Sequence, residues 1–152
     1  MSAQAKFPPV IQVILIAIAV YFTNSVIRYG RIEYSWLLPT AIISISLGIG
    51  VILIAGMTFK KASTTVNPLH PEHTTTLVMH GIYAYSRNPM YVGFFLILLG
   101  WIIYLGALSS LIWLAVFAWS ITKFQILPEE QILEKKFPTD FRAYQSKVRR
   151  WI

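Results

Sequence analysis

The residues able to do polar chemistry fall in two segments, 60–91 and 123–152. In the first, Asn88 is a good helix N-cap and Pro89 suits the first helical position. A helix starting there would offer free N–H groups and the positive end of its dipole to an anion. Arg87 adds a cation beside it, so a carboxylate or a phosphate would suit the place. The same residues also read as a capped helix whose Arg87 reaches to lipid headgroups. His70, His73 and His80 lie three and then seven positions apart, which matches no standard zinc pattern; Glu72 could join His70 and His73, but no Cys or close carboxylate pair completes a site, and no metal is expected. His70 or His80 could still serve as a polar contact or a base. In the second segment Glu129 and Glu130 follow Pro128. They read as acids in a first helical turn, or as acceptors for hydroxyl or ammonium groups. Beyond them Phe141, Tyr144, Val148 and Trp151 recur at helical spacing, with Arg142, Lys147, Arg149 and Arg150 on the other faces. That pattern predicts an amphipathic helix, lying on a membrane or folding back over the first segment.

The elements that must position these residues are apolar. Of the 152 residues, 56% are hydrophobic and 12% charged. Soluble domains carry roughly 25% charged residues, so an ordinary soluble globule and a disordered chain are both excluded. Mean hydropathy is +0.61 and net charge is +7, at a pI of 9.8. A basic balance on so apolar a chain points to a membrane protein with cationic ends, not to a nucleic-acid partner. The absence of cysteine excludes disulfides, thiolate catalysis and Cys-based metal sites.

Three stretches, 7–27, 34–59 and 88–122, hold no Asp, Glu, Lys, Arg or His. A bilayer core takes about 20 helical residues. The first two stretches are one span each. The third is too long for one, and Gly106–Ser110 interrupts it. The expectation is an all-α integral membrane protein of one domain, 1–152. Four transmembrane helices, about 8–27, 36–58, 89–105 and 108–127, include a hairpin of the last two, with a loop and a C-terminal amphipathic helix beside them. The first span is too long for a signal peptide and lacks a cleavage site. Of the 13 Lys and Arg, 11 fall on the side of the termini and the 60–87 loop; only Arg28 and Arg31 fall on the other. Both termini are therefore expected in the cytoplasm. The charge-free spans argue against a pump or drug exporter. Ser44, Gly48, Gly50 and Gly56 on span 2 predict close helix packing.

Two blocks then carry a family resemblance. Leu77-Val78-x-x-Gly81-x-Tyr83-x-x-x-Arg87-Asn88-Pro89-x-Tyr91-x-Gly93 resembles the signature of the isoprenylcysteine carboxyl methyltransferase and phospholipid methyltransferase superfamily. Glu129-Glu130-x-x-Leu133-x-x-x-Phe137-x-x-x-Phe141-x-x-Tyr144-x-x-x-Val148-x-Arg150-Trp151 is similar to its C-terminal block. The resemblance covers roughly 64–152. It implies transfer of a methyl group from S-adenosylmethionine to a lipid-associated carboxylate, amine or thiol at the cytoplasmic face. The stretch before the first block is similar to bacterial members, which implies a bacterial cytoplasmic membrane.

The cofactor segments implied are 64–91 and 125–152. By the resemblance Thr75, Thr76, Leu77, Val78, Gly81 and Tyr83 fall where the family's chain wraps the cofactor. Asn88, Pro89, Met90 and Tyr91 match the turn and helix start that close on it, and Glu129 or Glu130 a carboxylate that holds it. Arg87, Glu130 and His80 are the catalytic candidates: Arg87 for a carboxylate, and Glu130 or His80 as base should the acceptor be an amine. Gln125 stands where the eukaryotic enzymes place a substrate Arg, a departure that bears on a prenylcysteine acceptor. Asn88 replaces a frequent His, Pro138 a Gly and Phe141 a Tyr. Two other readings compete with this one. A sterol-type reductase using NADPH would need contacts for two phosphates, and a four-span transporter or scaffold would not need the polar segments. The oligomeric state is not legible.

Overall fold

The computed structural model describes residues 8–27, 34–61 and 76–152. Thr75, His70, Glu72, His73, Lys6, Arg28 and Arg31 lie outside them. Among the described residues every regular element is helical. Helix α1 spans Pro9–Val26 and α2 spans Leu37–Lys61; α3 spans Pro89–Tyr104 and α4 Ile112–Ile121, with α5 at Leu127–Lys136 and α6 at Pro138–Lys147. Three helices are long and apolar enough to cross a membrane: Pro9–Val26, Leu37–Lys61 and the continuous Leu108–Lys136. Helix α3 is as apolar but has 16 residues.

The hairpin turn follows from Gly106. Its φ of +61° is left-handed backbone, which glycine adopts without strain. The Gly106 N–H reaches the Ile103 carbonyl at 2.9 Å and the Ala107 N–H the Ile102 carbonyl at 3.1 Å. This double bond pattern satisfies the last carbonyls of α3. The chain re-enters through a 3₁₀ turn, Leu108–Leu111, into α4.

Helix α2 packs along α3 on small residues. Its buried positions Ala41, Ser44, Gly48 and Ala55 form one face. Ser44 donates from its hydroxyl to the Leu96 carbonyl at 2.8 Å. A Cβ at Gly93 would meet Ile52 Cγ1 at 2.5 Å and the Gly48 carbonyl at 2.7 Å. A Cβ at Gly100 would meet the Ala41 carbonyl at 2.9 Å. Backbone cannot move aside as a side chain can, so Gly93→Val is expected to destabilise the protein by about 1–3 kcal/mol. Thermal melting in detergent reads this; an unchanged midpoint would contradict the packing.

Helix α1 packs on the hairpin through apolar contacts and polar bonds together. Trp101 Nε1 donates to the Ala17 carbonyl at 3.2 Å and Trp113 Nε1 to Thr23 Oγ1 at 2.9 Å. Between apolar helices, where lipid competes equally for apolar contact, such bonds serve as glue. Ile16 and Val20 join Leu98, Ile102, Phe117 and Ile121 in the main core.

Helix 4 does not end near 127 as expected. A π turn, Thr122–Ile126, joins α4 to α5 without a break, and the helix runs to Lys136. Pro128 lacks an N–H and its ring would crowd the carbonyl four residues back, and the wider turn relieves this. The C-terminal helix is also shorter than its spacing suggested. Phe141 and Tyr144 are buried on α6, but the helix ends at Lys147 and Val148 is extended. Residues 149–151 lie outside the helix, where other partners take the Arg149 and Arg150 carbonyls and the Trp151 indole N–H. Helix α6 folds back over the segment before α3, the second of its two anticipated placements.

Candidate active site

The chain approaching α3 is fixed from two sides. Gly81, at φ +63°, opens a 3₁₀ turn that ends at Ala84 and rests against Thr58 of α2. The turn buries Tyr83 with Val78 and Ala55, and Met90 and Phe59 pack against them. The Phe59 and Tyr83 rings meet edge to face at 4.9 Å. From α6, the Tyr144 hydroxyl donates to the Tyr83 carbonyl at 2.6 Å. Burial pushes both phenols well above their ordinary pKa, so both keep their protons throughout the working pH range. Tyr144→Phe leaves a buried carbonyl unpaired and should cost about 1–3 kcal/mol. Equilibrium unfolding with a matched Tyr85→Phe control, at an exposed position, measures it.

Next come the residues at the start of α3. The Asn88 N–H donates to Ser86 Oγ at 3.1 Å. The Arg87 N–H donates to the Arg149 carbonyl at 3.0 Å, and Asn88 Nδ2 to the Arg150 carbonyl at 3.0 Å. Asn88 thus stands at the N-cap position, but its side chain does not cap. A partner 62 positions along the chain has taken the amide instead. Pro89 is buried as the first residue of α3.

Two carboxylates from the first turn of α5 face this place. Glu129 Oε1 accepts from the Tyr91 hydroxyl at 2.6 Å. Among the described residues no cation lies within ion-pair distance of Glu129. Glu130 is held by two arginines. Arg150 donates to it through Nη2 at 2.8 Å and Nε at 3.2 Å. Arg87 Nη1 stands 3.3 Å from Oε1, and both side chains are 11% exposed. Arg87 Nη1 and Nε are buried and make no hydrogen bond.

The structure therefore brings together Arg87, Asn88, Pro89, Tyr91, Glu129 and Glu130. Val78, Tyr83 and Met90 line the adjoining apolar cluster, with Gly81 shaping its turn. Leu77 is half-buried, and Thr76 and His80 are exposed. Gln125 is wholly buried on the π turn. Among the described residues no three His, Asp or Glu side chains gather into a metal-ligand set. Three side chains at the site had received no role from the sequence. Tyr144 and Arg150 were visible only on the faces of the amphipathic helix and as members of the C-terminal block. Ser86 gave no signal, because its use depends on the turn around it.

The sequence matches known proteins over the same elements. The phospholipid methyltransferase family matches residues 36–140, from α2 into α6. An uncharacterized protein of Haemophilus influenzae is 49% identical over 65 residues, which are 41% of this chain and the whole of that protein. Protein-S-isoprenylcysteine O-methyltransferase of Schizosaccharomyces pombe is 39% identical over 72 residues, 47% of this chain and 30% of the yeast protein. Protein-S-isoprenylcysteine O-methyltransferase A of Arabidopsis thaliana is 26% identical over 134 residues, 88% of this chain and 68% of the plant protein. The chain thus spans under a third of the yeast enzyme's length. No solved structure matches it. With the family match running over most of the chain and over both carboxylates of the site, the chain belongs to the phospholipid methyltransferase family.

Proposed function

We propose that the protein transfers a methyl group from S-adenosylmethionine to a lipid-associated acceptor at the cytoplasmic membrane face. The observation that carries this is the pair of buried Arg87 nitrogens, Nε and Nη1, that make no hydrogen bond, at the site that also holds the Tyr91–Glu129 pair. The amino-acid end of S-adenosylmethionine is a zwitterion. Arg87 has N–H groups for its carboxylate, and Glu129 has acceptor oxygens for its ammonium. Glu130 is less suited, since both its oxygens already face arginines. Val78, Tyr83 and Met90 supply an apolar wall, and Thr75, Thr76, Leu77, Gly81, Asn88 and Pro89 complete the cofactor segment.

S-adenosylmethionine supplies a methyl group already activated on a sulfonium. The protein's part is then alignment and exclusion of water. The apolar cluster behind Tyr83 and the bonds fixing 83–88 serve both. A carboxylate acceptor needs no base, whereas an amine must first lose a proton. Both Glu130 oxygens already face guanidiniums, which leaves neither placed to take an amine's proton. This favours a carboxylate, as do the O-methyltransferase names of the yeast and plant relatives. His80 remains the base to test if amines are accepted, and Gln125 the candidate substrate contact.

The four-span arrangement belongs to the proposal. Helix α3 at 16 residues would be about 24 Å long, a short span paired with its hairpin partner. Lys123 lies over the exposed Trp119 ring at 5.0 Å and near Phe124 at 5.8 Å. Such an aromatic and cationic belt suits the membrane–water boundary and leaves Glu129 and Glu130 on the wet side. The cation count supports a cytoplasmic location for that side and for both termini.

Calorimetric titration of the detergent-purified protein with S-adenosylhomocysteine tests the cofactor, with NADPH as the contrast. Saturable binding of S-adenosylhomocysteine alone is expected. Binding of NADPH alone would move the protein to the reductases.

A further inference from the structure

We infer that Arg150 is a positioning residue for the cofactor site: by occupying Glu130 it leaves Arg87 with donors to offer an anion. This rests on the cofactor reading above. Arg150 reaches Glu130 through two hydrogen bonds of 2.8 and 3.2 Å. Arg87 Nη1 stands 3.3 Å from the same carboxylate without making a hydrogen bond to it. A guanidinium alone with a carboxylate closes on it through a two-pronged contact. Here that contact belongs to Arg150. Two guanidiniums on one carboxylate also leave one net positive charge. Burying N–H groups of Arg87 without partners is costly. The arrangement holds because Arg150 is fixed through its backbone as well.

That fixing is visible on both sides of residue 150. The Arg149 carbonyl accepts from the Arg87 N–H and the Arg150 carbonyl from Asn88 Nδ2. Trp151 Nε1 donates to Thr122 Oγ1 at 3.2 Å, and its ring meets Phe95 at 6.4 Å. Residues 149–151 form a strap across the start of α3, tied to α3 at one end and to the π turn at the other. Glu130 raises the pKa of Arg150 further, so the strap keeps its charge at any working pH.

The test titrates wild type, Arg150→Gln, Arg150→Lys, Glu130→Gln and the Glu130→Gln/Arg150→Gln double variant. Each receives S-adenosylhomocysteine and, separately, 5′-methylthioadenosine, which lacks the amino-acid end. Arg150→Gln should weaken S-adenosylhomocysteine by about tenfold or more, because Arg87 then closes on Glu130. Binding of 5′-methylthioadenosine should not change. Arg150→Lys keeps the charge without the fork and should fall between. With Glu130 already neutral, adding Arg150→Gln should weaken binding no further. Melting of each variant separates a lost fold from a lost donor. If Arg150→Gln does not fold, Arg150→Lys carries the same two-probe comparison. Equal weakening toward both probes, unchanged S-adenosylhomocysteine binding or additive effects would overturn the inference. Wild type that fails to bind S-adenosylhomocysteine would overturn the cofactor reading, and this inference with it.

Discussion

Arg87→Gln is expected to weaken S-adenosylhomocysteine binding by about 30-fold or more while leaving the protein folded. The size follows from the contact being removed. Losing one partner of a buried, hydrogen-bonded charge pair costs about 2–5 kcal/mol, and each 1.4 kcal/mol is about a factor of ten. The fold should survive for two reasons. Glu130 keeps its better partner, Arg150, at 2.8 Å. The bond from residue 87 to the Arg149 carbonyl is made by the backbone and does not depend on the side chain. Arg87→Lys should recover only part of the affinity, since an ammonium offers a charge but not a planar pair of donors. Isothermal titration of the three proteins at one salt concentration decides the matter. If Arg87 instead serves lipid headgroups, the one open alternative from its sequence position, all three bind alike and only retention on anionic vesicles changes.

How far the sequence could lead here depended on the range of each interaction. Pro89 opening α3 and Gly106 closing it were readable, because both follow from a residue's own backbone limits. So were the apolar spans, since a bilayer imposes their length. Pro128 was visible too, but a proline inside an apolar run can end a helix or be absorbed by it. The π turn at Thr122–Ile126 shows absorption, and the two adjacent glutamates beyond it, on successive helical positions, meet different partners. Asn88 was legible as a cap position, yet a carbonyl 62 residues away claims its amide. The same distance defeated the reading of Trp151 as part of an amphipathic helix. Helical spacing continued through 148–151, but the backbone leaves the helix to bond the start of α3. Local preference placed the elements, and long-range hydrogen bonds assembled the candidate site.

The second large effect concerns Glu129, and it separates two chemistries the sequence could not. A carboxylate at this position could hold an ammonium by charge or ribose hydroxyls by hydrogen bonds. Glu129→Gln distinguishes them, because an amide keeps an acceptor oxygen but loses the charge. Tyr91 can still donate to that oxygen, so the 2.6 Å bond has a replacement and stability should move little. If Glu129 holds the ammonium, Glu129→Gln and Glu129→Ala should both weaken S-adenosylhomocysteine by about 10- to 100-fold, the worth of a hydrogen bond to a charged group. Both should leave 5′-methylthioadenosine, which has no ammonium, unaffected. If Glu129 holds the ribose, Glu129→Gln should be mild and Glu129→Ala severe toward both probes alike. The structure favours the first outcome. Glu130 carries the arginines, and Glu129 has a phenol as its hydrogen-bond partner and no cation beside it among the described residues. A carboxylate in that position gains most from a ligand that brings a positive charge, and a pair of neutral hydroxyls would leave it uncompensated.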